Sequence, residues 1–76
     1  MKVKDLNQTE RIYYNISYTY EVSKEKGSSE DAGRFGKVML HMKMYNGSLT
    51  EARYDEIHAY AQKNARRVLK RQGYLY

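Results

Sequence analysis

The feature that most constrains the fold is the stretch from Arg11 to Val22, in which apolar and polar side chains alternate. The even positions are all apolar or aromatic: Ile12, Tyr14, Ile16, Tyr18, Tyr20 and Val22. The odd positions are polar, with the exception of Tyr13. Because successive side chains of a β-strand point to opposite faces, this alternation predicts a strand with one buried face.

A second strand is predicted over residues 38–45, where one register is entirely apolar. That register consists of Val38, Leu40, Met42 and Met44. The connection between the two strands, residues 23–37, is rich in glycine, serine and charged residues. Glycine-rich polar segments are typical of loops, so we predict a flexible hairpin loop there. Such a loop is either a functional surface or an idle connection.

A long amphipathic helix is predicted for the C-terminal part of the chain. Asn46 and Gly47 favour a turn, and Ser48 with Glu51 has the spacing of a capping box that starts a helix. Apolar residues then recur every three or four positions, at Tyr54, Ile57, Ala61, Ala65 and Val68. Gly73 is expected to end the helix.

These elements predict a single ββα domain over residues 1–76, of the α+β class. A two-stranded antiparallel sheet, or a three-stranded one if the N-terminal segment pairs with it, would pack on the long C-terminal helix. A chain of 76 residues has only a thin core. Because two strands also leave bare edges, we expect a homodimer.

The charge and composition narrow the class of protein. Fourteen Lys and Arg residues against nine Asp and Glu give a net charge of +5, which favours acidic partners and permits nucleic acid. No apolar run is long enough for a membrane-spanning helix, and the N-terminal residues lack the apolar block of a signal peptide. We therefore expect a cytoplasmic protein with no membrane partner.

Five basic residues on the predicted helix form the sharpest candidate site. Their spacing of three and four places all of them on the face opposite the apolar stripe: Lys63, Arg66, Arg67, Lys70 and Arg71. Such a face could contact the phosphates of nucleic acid or an acidic protein partner. It could equally be a solvated face that complements the negative end of the helix dipole.

A second set of residues is a candidate protein interface. Spacing places Tyr14, Tyr18 and Tyr20 in the core register of the first strand, which leaves other aromatic residues for the surface. Protein interfaces favour tyrosine and arginine. The interface candidates are Tyr13, Arg34, Phe35, His41, Tyr60, Tyr74 and Tyr76.

Nothing in the sequence indicates catalysis, a metal site or a cofactor. The two histidines, His41 and His58, lack carboxylates at metal-ligand spacing. Ser28 and Ser29 lack the glycines of a nucleophile elbow, and Gly33 with Gly36 is too short for a phosphate-binding loop. We therefore predict a protein without enzymatic activity.

Three segments together resemble short bacteriophage accessory proteins: residues 14–20, residues 33–40, and the helix with Asp55, Ile57 and Asn64. In that family a strand of Ser-Tyr-x-Tyr type is followed by a Gly-Phe-Gly hairpin arm. Here Arg34 separates Gly33 from Phe35. The resemblance implies a phage-encoded protein in the cytoplasm of a bacterial host. It would occupy a surface of a host protein or nucleoprotein complex, for example to inhibit a defence system. The alternative function is direct binding of nucleic acid by the basic helix face or the outer sheet face.

Overall fold

The computed structural model describes residues 2–46 and 49–74, which form a bundle of three helices. The helices are α1 (Gln8–Glu25), α2 (Ser29–His41) and α3 (Glu51–Arg71). A 3₁₀ turn, Val3–Asp5, precedes α1, and a π-helical segment, Met42–Asn46, continues α2. The described residues contain no strand, so the fold is all-α and the predicted α+β class is wrong.

Each predicted β element has a helical counterpart. The first predicted strand, residues 11–22, lies within α1, and the second, residues 38–45, spans the end of α2 and the π-helical segment. Most of the predicted hairpin loop, residues 23–37, belongs to α1 and α2. The N-terminal segment forms the 3₁₀ turn and not a third strand. The bare strand edges that motivated the predicted homodimer are therefore absent from the described residues.

Helix α1 begins and ends with strong local signals. The Asn7 side chain accepts a hydrogen bond from the Glu10 backbone N–H at 2.9 Å, and the Glu10 carboxylate accepts one from the Asn7 backbone N–H at 3.0 Å. This reciprocal pair is a capping box. At the other end Gly27 adopts a φ of 82°, and Ser28 N–H donates to the Ser23 carbonyl, which closes the helix in a Schellman motif.

The buried face of α1 differs from the face that the alternating pattern predicted. The buried residues are Glu10, Tyr13, Tyr14, Ser17 and Glu21, which recur at helical intervals. Tyr13, predicted to lie on the surface, is only 2% exposed. Ile12, predicted to be buried, is 45% exposed. Three of the five buried side chains are polar, so the apolar residues alone do not reveal the helical period.

Helix α2 contains Gly33 and Gly36, so the predicted loop is wrong at these positions. A Cβ atom at Gly36 would lie 3.3 Å from the Tyr20 ring, so glycine at this position lets α2 approach α1 closely. Ala32 and Met42 are buried, with Phe35 and Met39 half-buried on the same side. In the predicted core register only Met42 is buried, whereas Val38, Leu40 and Met44 are exposed.

Helix α3 is the element that the sequence predicted best. Tyr54, Ile57, Ala61 and Ala65 are buried as predicted, and Leu69 completes the stripe in place of the half-buried Val68. The side chain of Thr50 accepts the capping hydrogen bond from Arg53 N–H at 3.1 Å. Ser48, the predicted cap, lies outside the described residues. Gly73, with a φ of 88°, ends the helix as expected.

The three helices run up, down and up, with α1 packed against both of the others. Arg53 near the start of α3 contacts Glu10 near the start of α1, and Gln62 further along α3 contacts Glu21 further along α1. These two helices are therefore parallel. The rings of Tyr13 and Tyr54 meet edge to face at 4.8 Å in the core. The Tyr54 hydroxyl donates to the Met42 carbonyl at 3.2 Å, which ties α3 to the end of α2.

Candidate functional site

The five predicted basic residues all lie exposed on one face of α3, which we call the basic face. It comprises Lys63, Arg66, Arg67, Lys70 and Arg71. The buried stripe of α3 faces α1, so the basic face lies on the opposite side of the helix, as the spacing predicted. Its first and last members are eight positions apart, which is about 12 Å along the helix axis.

The basic face has few acidic neighbours in the sequence. No Asp or Glu follows Glu56, whereas the first six residues of α3 include three carboxylates. Cations near a helix C-terminus and anions near its N-terminus both interact favourably with the helix dipole, so the charge distribution also stabilises α3. The Arg67 guanidinium donates to the Asn64 side chain at 3.1 Å, which leaves its charge unneutralised.

Arg66 borders a buried carboxylate on α1. Glu21 is fully buried, and its Oε1 atom lies 3.9 Å from Arg66 Nη1 and 3.5 Å from Gln62 Nε2. Lys24 Nζ approaches the other oxygen at 3.2 Å. The Arg66 side chain is still 53% exposed, so it joins the core of the bundle to the basic face. Sequence reasoning missed Glu21, because the alternating pattern placed it on a solvent-facing strand surface.

The candidate tyrosines have different environments. Tyr13 is buried, which removes it from any interface, and burial raises the pKa of its hydroxyl. Tyr60 is half-buried, with its ring 5.4 Å from that of Tyr14. Tyr74 is 49% exposed beyond the end of α3, and Lys26 Nζ lies 4.9 Å from its ring centroid. Tyr76 lies outside the described residues.

The remaining interface candidates lie on α2, apart from the basic face. Arg34 is exposed and pairs with Glu30 at 3.7 Å across one turn. Phe35 is half-buried towards α1, so it offers little surface to a partner. His41 is exposed, with its ring 4.7 Å from that of Tyr45. The structure therefore does not unite the basic residues and the predicted interface residues in one site.

A second surface feature, absent from the sequence predictions, is a groove between α2 and α3. Its two adjoining parts have volumes of about 300 and 330 Å³ and share Leu40 and Lys43 as lining residues. The first part is also lined by Tyr13, Tyr20, Gly36, Met39, Asp55 and His58, and the second by Met44, Leu49, Glu51 and Tyr54. This groove could be predicted only if residues 29–45 were recognised as helical, and the sequence pattern did not show that.

Two ion pairs fix the acidic half of α3. The Arg53 guanidinium contacts the Glu10 carboxylate, and Lys43 Nζ lies 3.3 Å from Asp55 Oδ1 at the rim of the groove. The backbone hydrogen bond from Asn7, reinforced by Arg53, lowers the pKa of Glu10. The hydrogen bond to Asp55 raises the pKa of Lys43, which keeps this amine charged.

The described residues contain no group of three His, Asp or Glu side chains close enough to hold a metal ion. Among the helices described, none is both long and apolar enough to cross a membrane. The predicted cytoplasmic location stays a prediction.

Comparison with known proteins adds no relative. No protein-family model, curated protein or solved structure matches the chain significantly. The resemblance to bacteriophage accessory proteins therefore gains no support. Moreover, the strand and hairpin arm on which it rested are helices α1 and α2. The function as a phage-encoded inhibitor, which the resemblance implied, is likewise without support and stays a prediction.

Proposed function

We propose that this protein is a non-enzymatic binding protein whose basic face docks on the phosphate backbone of nucleic acid. One observation carries the proposal: five exposed cations lie on a single face of α3, in a part of the sequence, residues 57–76, that contains no Asp or Glu. Lys and Arg side chains that neutralise phosphates displace condensed counterions, and this release supplies most of the affinity of non-specific binding.

The dimensions of the basic face suit this role. Its length of about 12 Å corresponds to roughly seven phosphate charges of a duplex, which carries about one charge per 1.7 Å. Within the described residues, the consecutive helices α2 and α3 contact each other little, so they do not form the packed helix pair of a helix-turn-helix. We therefore expect phosphate contacts with little preference for base sequence.

The exposed Tyr74 favours a second candidate function. Tyrosine and arginine are both enriched in protein interfaces, and an acidic protein surface could replace the phosphates as the partner of the basic face. The two candidates differ in their behaviour towards random-sequence nucleic acid. Only the first requires the isolated protein to bind it.

Fluorescence anisotropy with a labelled random-sequence duplex of about 20 base pairs tests the proposal. The test variant is Lys63→Gln with Lys70→Gln, and the matched control is Lys2→Gln with Lys4→Gln. Both remove two exposed lysines, but the control lysines precede α1, at the other end of the bundle. At about 50 mM salt we expect the test variant to bind at least roughly tenfold more weakly than the wild type, because two phosphate contacts are lost.

The control variant should lose much less affinity than the test variant. Equal losses in the two variants would mean that only net charge matters and would contradict a defined basic face. A wild-type Kd weaker than about 10⁻⁴ M, the upper end of the non-specific range, would also overturn the proposal and favour an acidic protein partner.

A further inference from the structure

The packing of the bundle leaves one side of α2 and α3 unpartnered. Within the described residues, α1 packs extensively against both α2 and α3, whereas α2 and α3 contact each other little. The arrangement is that of three corners of a four-helix bundle, with α1 between its two neighbours. The groove between α2 and α3 occupies the position where a fourth helix would pack.

Apolar side chains are exposed along this groove. Leu40 and Met44 are 58% and 62% exposed although both line its walls. Leu40 and Met44 are four positions apart, so they lie next to each other on one side of the helical segment. Isolated exposed apolar residues are common, but a contiguous set beside an apolar groove indicates a surface that another helix covers. Leu40 and Met44 lie on the same face as the groove. In a dimer, each copy can therefore place these two side chains against the groove of the other copy.

The charges along the groove run from negative to positive. Glu51 and Asp55 lie at the end formed by the start of α3, where Lys43 offsets one of them. Two cations lie beyond the other end, outside the groove lining: Lys24 Nζ is 5.5 Å from the ring of Tyr20, which lines the groove, and Lys24 and Arg66 share the single carboxylate of Glu21. In an antiparallel arrangement of two copies, the acidic end of one groove meets the basic end of the other. A parallel arrangement would bring like charges together.

We propose that the protein forms a symmetric homodimer in which the α2 and α3 faces of two copies pack antiparallel across the groove. A two-fold axis makes such an interface self-complementary, since each contact occurs twice. For a chain this small, covering Leu40 and Met44 also adds apolar burial that the monomer lacks. This proposal rests on the groove and the charges at its two ends and does not depend on nucleic-acid binding.

Sedimentation equilibrium from about 1 to 200 μM tests the proposal. The wild type should approach twice the 9.0 kDa mass of the chain. Leu40→Asp, which places a charge in the interface, should remain near 9.0 kDa with an unchanged far-ultraviolet circular dichroism spectrum. The control Ile12→Asp adds the same charge at an exposed position outside the groove lining and should still dimerise.

A wild type that stays monomeric over this range would overturn the proposal and leave the groove to a helix of another protein. A Leu40→Asp variant that dimerises like the wild type would also overturn it, because the interface would then lie elsewhere. Both results can be interpreted without a functional assay.

The relative orientation of the two copies can be tested by spin labelling, because the chain contains no native cysteine. In the antiparallel dimer, labels on Ala59→Cys, near the middle of α3, should be closer together than labels on Ala52→Cys near its start. Both positions are exposed, so labelling should not disturb the bundle. Similar distances for the two variants would indicate a parallel dimer and contradict the proposal.

Discussion

Arg53 on α3 donates a hydrogen bond from its Nε atom to the carboxylate of Glu10, the third residue of α1. The same carboxylate caps the start of α1 through the backbone N–H of Asn7. Glu10 therefore joins a local signal for helix initiation to a contact between residues 43 positions apart in the sequence. It is 8% exposed, so both interactions are largely shielded from solvent.

Glu10 should make the stability of the protein depend on pH. Its pKa is lowered in the folded state from the ordinary value of 4.5, mainly by the Asn7 backbone hydrogen bond and then by Arg53. A lowered pKa contributes stability that is present above about pH 4.5 and is lost as the pH falls through the folded-state pKa. Urea titrations at pH 7 and pH 3 should show Glu10→Gln losing less stability on acidification than the wild type.

The control for this pH experiment is Glu30→Gln, which removes a carboxyl that is 88% exposed. It should retain the wild-type difference between pH 7 and pH 3. If Glu10→Gln lost as much stability on acidification as the wild type, Glu10 would not be a source of the pH dependence.

The second prediction separates the helical bundle from the sheet that the alternating pattern suggested. Ile57 is fully buried, so Ile57→Ala should lower the free energy of unfolding by about 2–5 kcal/mol through lost burial and a cavity. Ile12→Ala should cost less than about 1 kcal/mol, because Ile12 is half-exposed on α1. Urea unfolding curves provide both values. A large loss for Ile12→Ala would instead support the strand register.

The third prediction concerns the close packing of α1 and α3. Ala61 and Ala65 are fully buried on α3, and small side chains at a helix contact shorten the distance between axes. Ala61→Leu should therefore destabilise the protein by about 1–3 kcal/mol through overpacking. Ala59→Leu, two residues away and exposed, adds the same atoms outside the core and should be nearly neutral. Equal stabilities of these variants in thermal unfolding would contradict the packing.

Helix α3 could be predicted from the sequence because all of its signals agree. Its core residues are apolar and recur at helical intervals, its basic residues occupy the opposite face, and Gly73 ends it. Only the cap differed, with Thr50 in place of Ser48. The exposure of the five basic residues on one face of α3 follows from the same spacing, whereas their role as a binding site stays a prediction.

Helix α1 could not be recognised by apolar periodicity, because it buries Glu10, Ser17 and Glu21. The apolar residues of this segment alternate with polar ones, which is the pattern of a strand. In the helix, however, Ile12 is exposed and Tyr14 is buried, so the two lie on different sides. The spacing of Asn7 and Glu10 is that of a capping box and marks the start of α1.

Helix α2 was obscured by glycine. Gly33 and Gly36 lower helix propensity, which is why the sequence predicts a loop there. In the bundle, Gly36 accommodates the Tyr20 ring of α1, a packing requirement that appears only once both helices are in place. The groove between α2 and α3 depends on this arrangement, which explains why no local pattern predicted it.

The salt dependence of nucleic-acid binding tests the central claim about the basic face most directly. The logarithm of the binding constant for a random duplex should fall linearly with the logarithm of salt concentration, with a slope of about −0.9 for each phosphate contact. Five contacts would give a slope of about −4.5, and Lys63→Gln with Lys70→Gln should make it shallower by about 1.8. A wild-type slope near zero, or a slope that the double substitution leaves unchanged, would contradict the assignment of the basic face as a phosphate-binding surface.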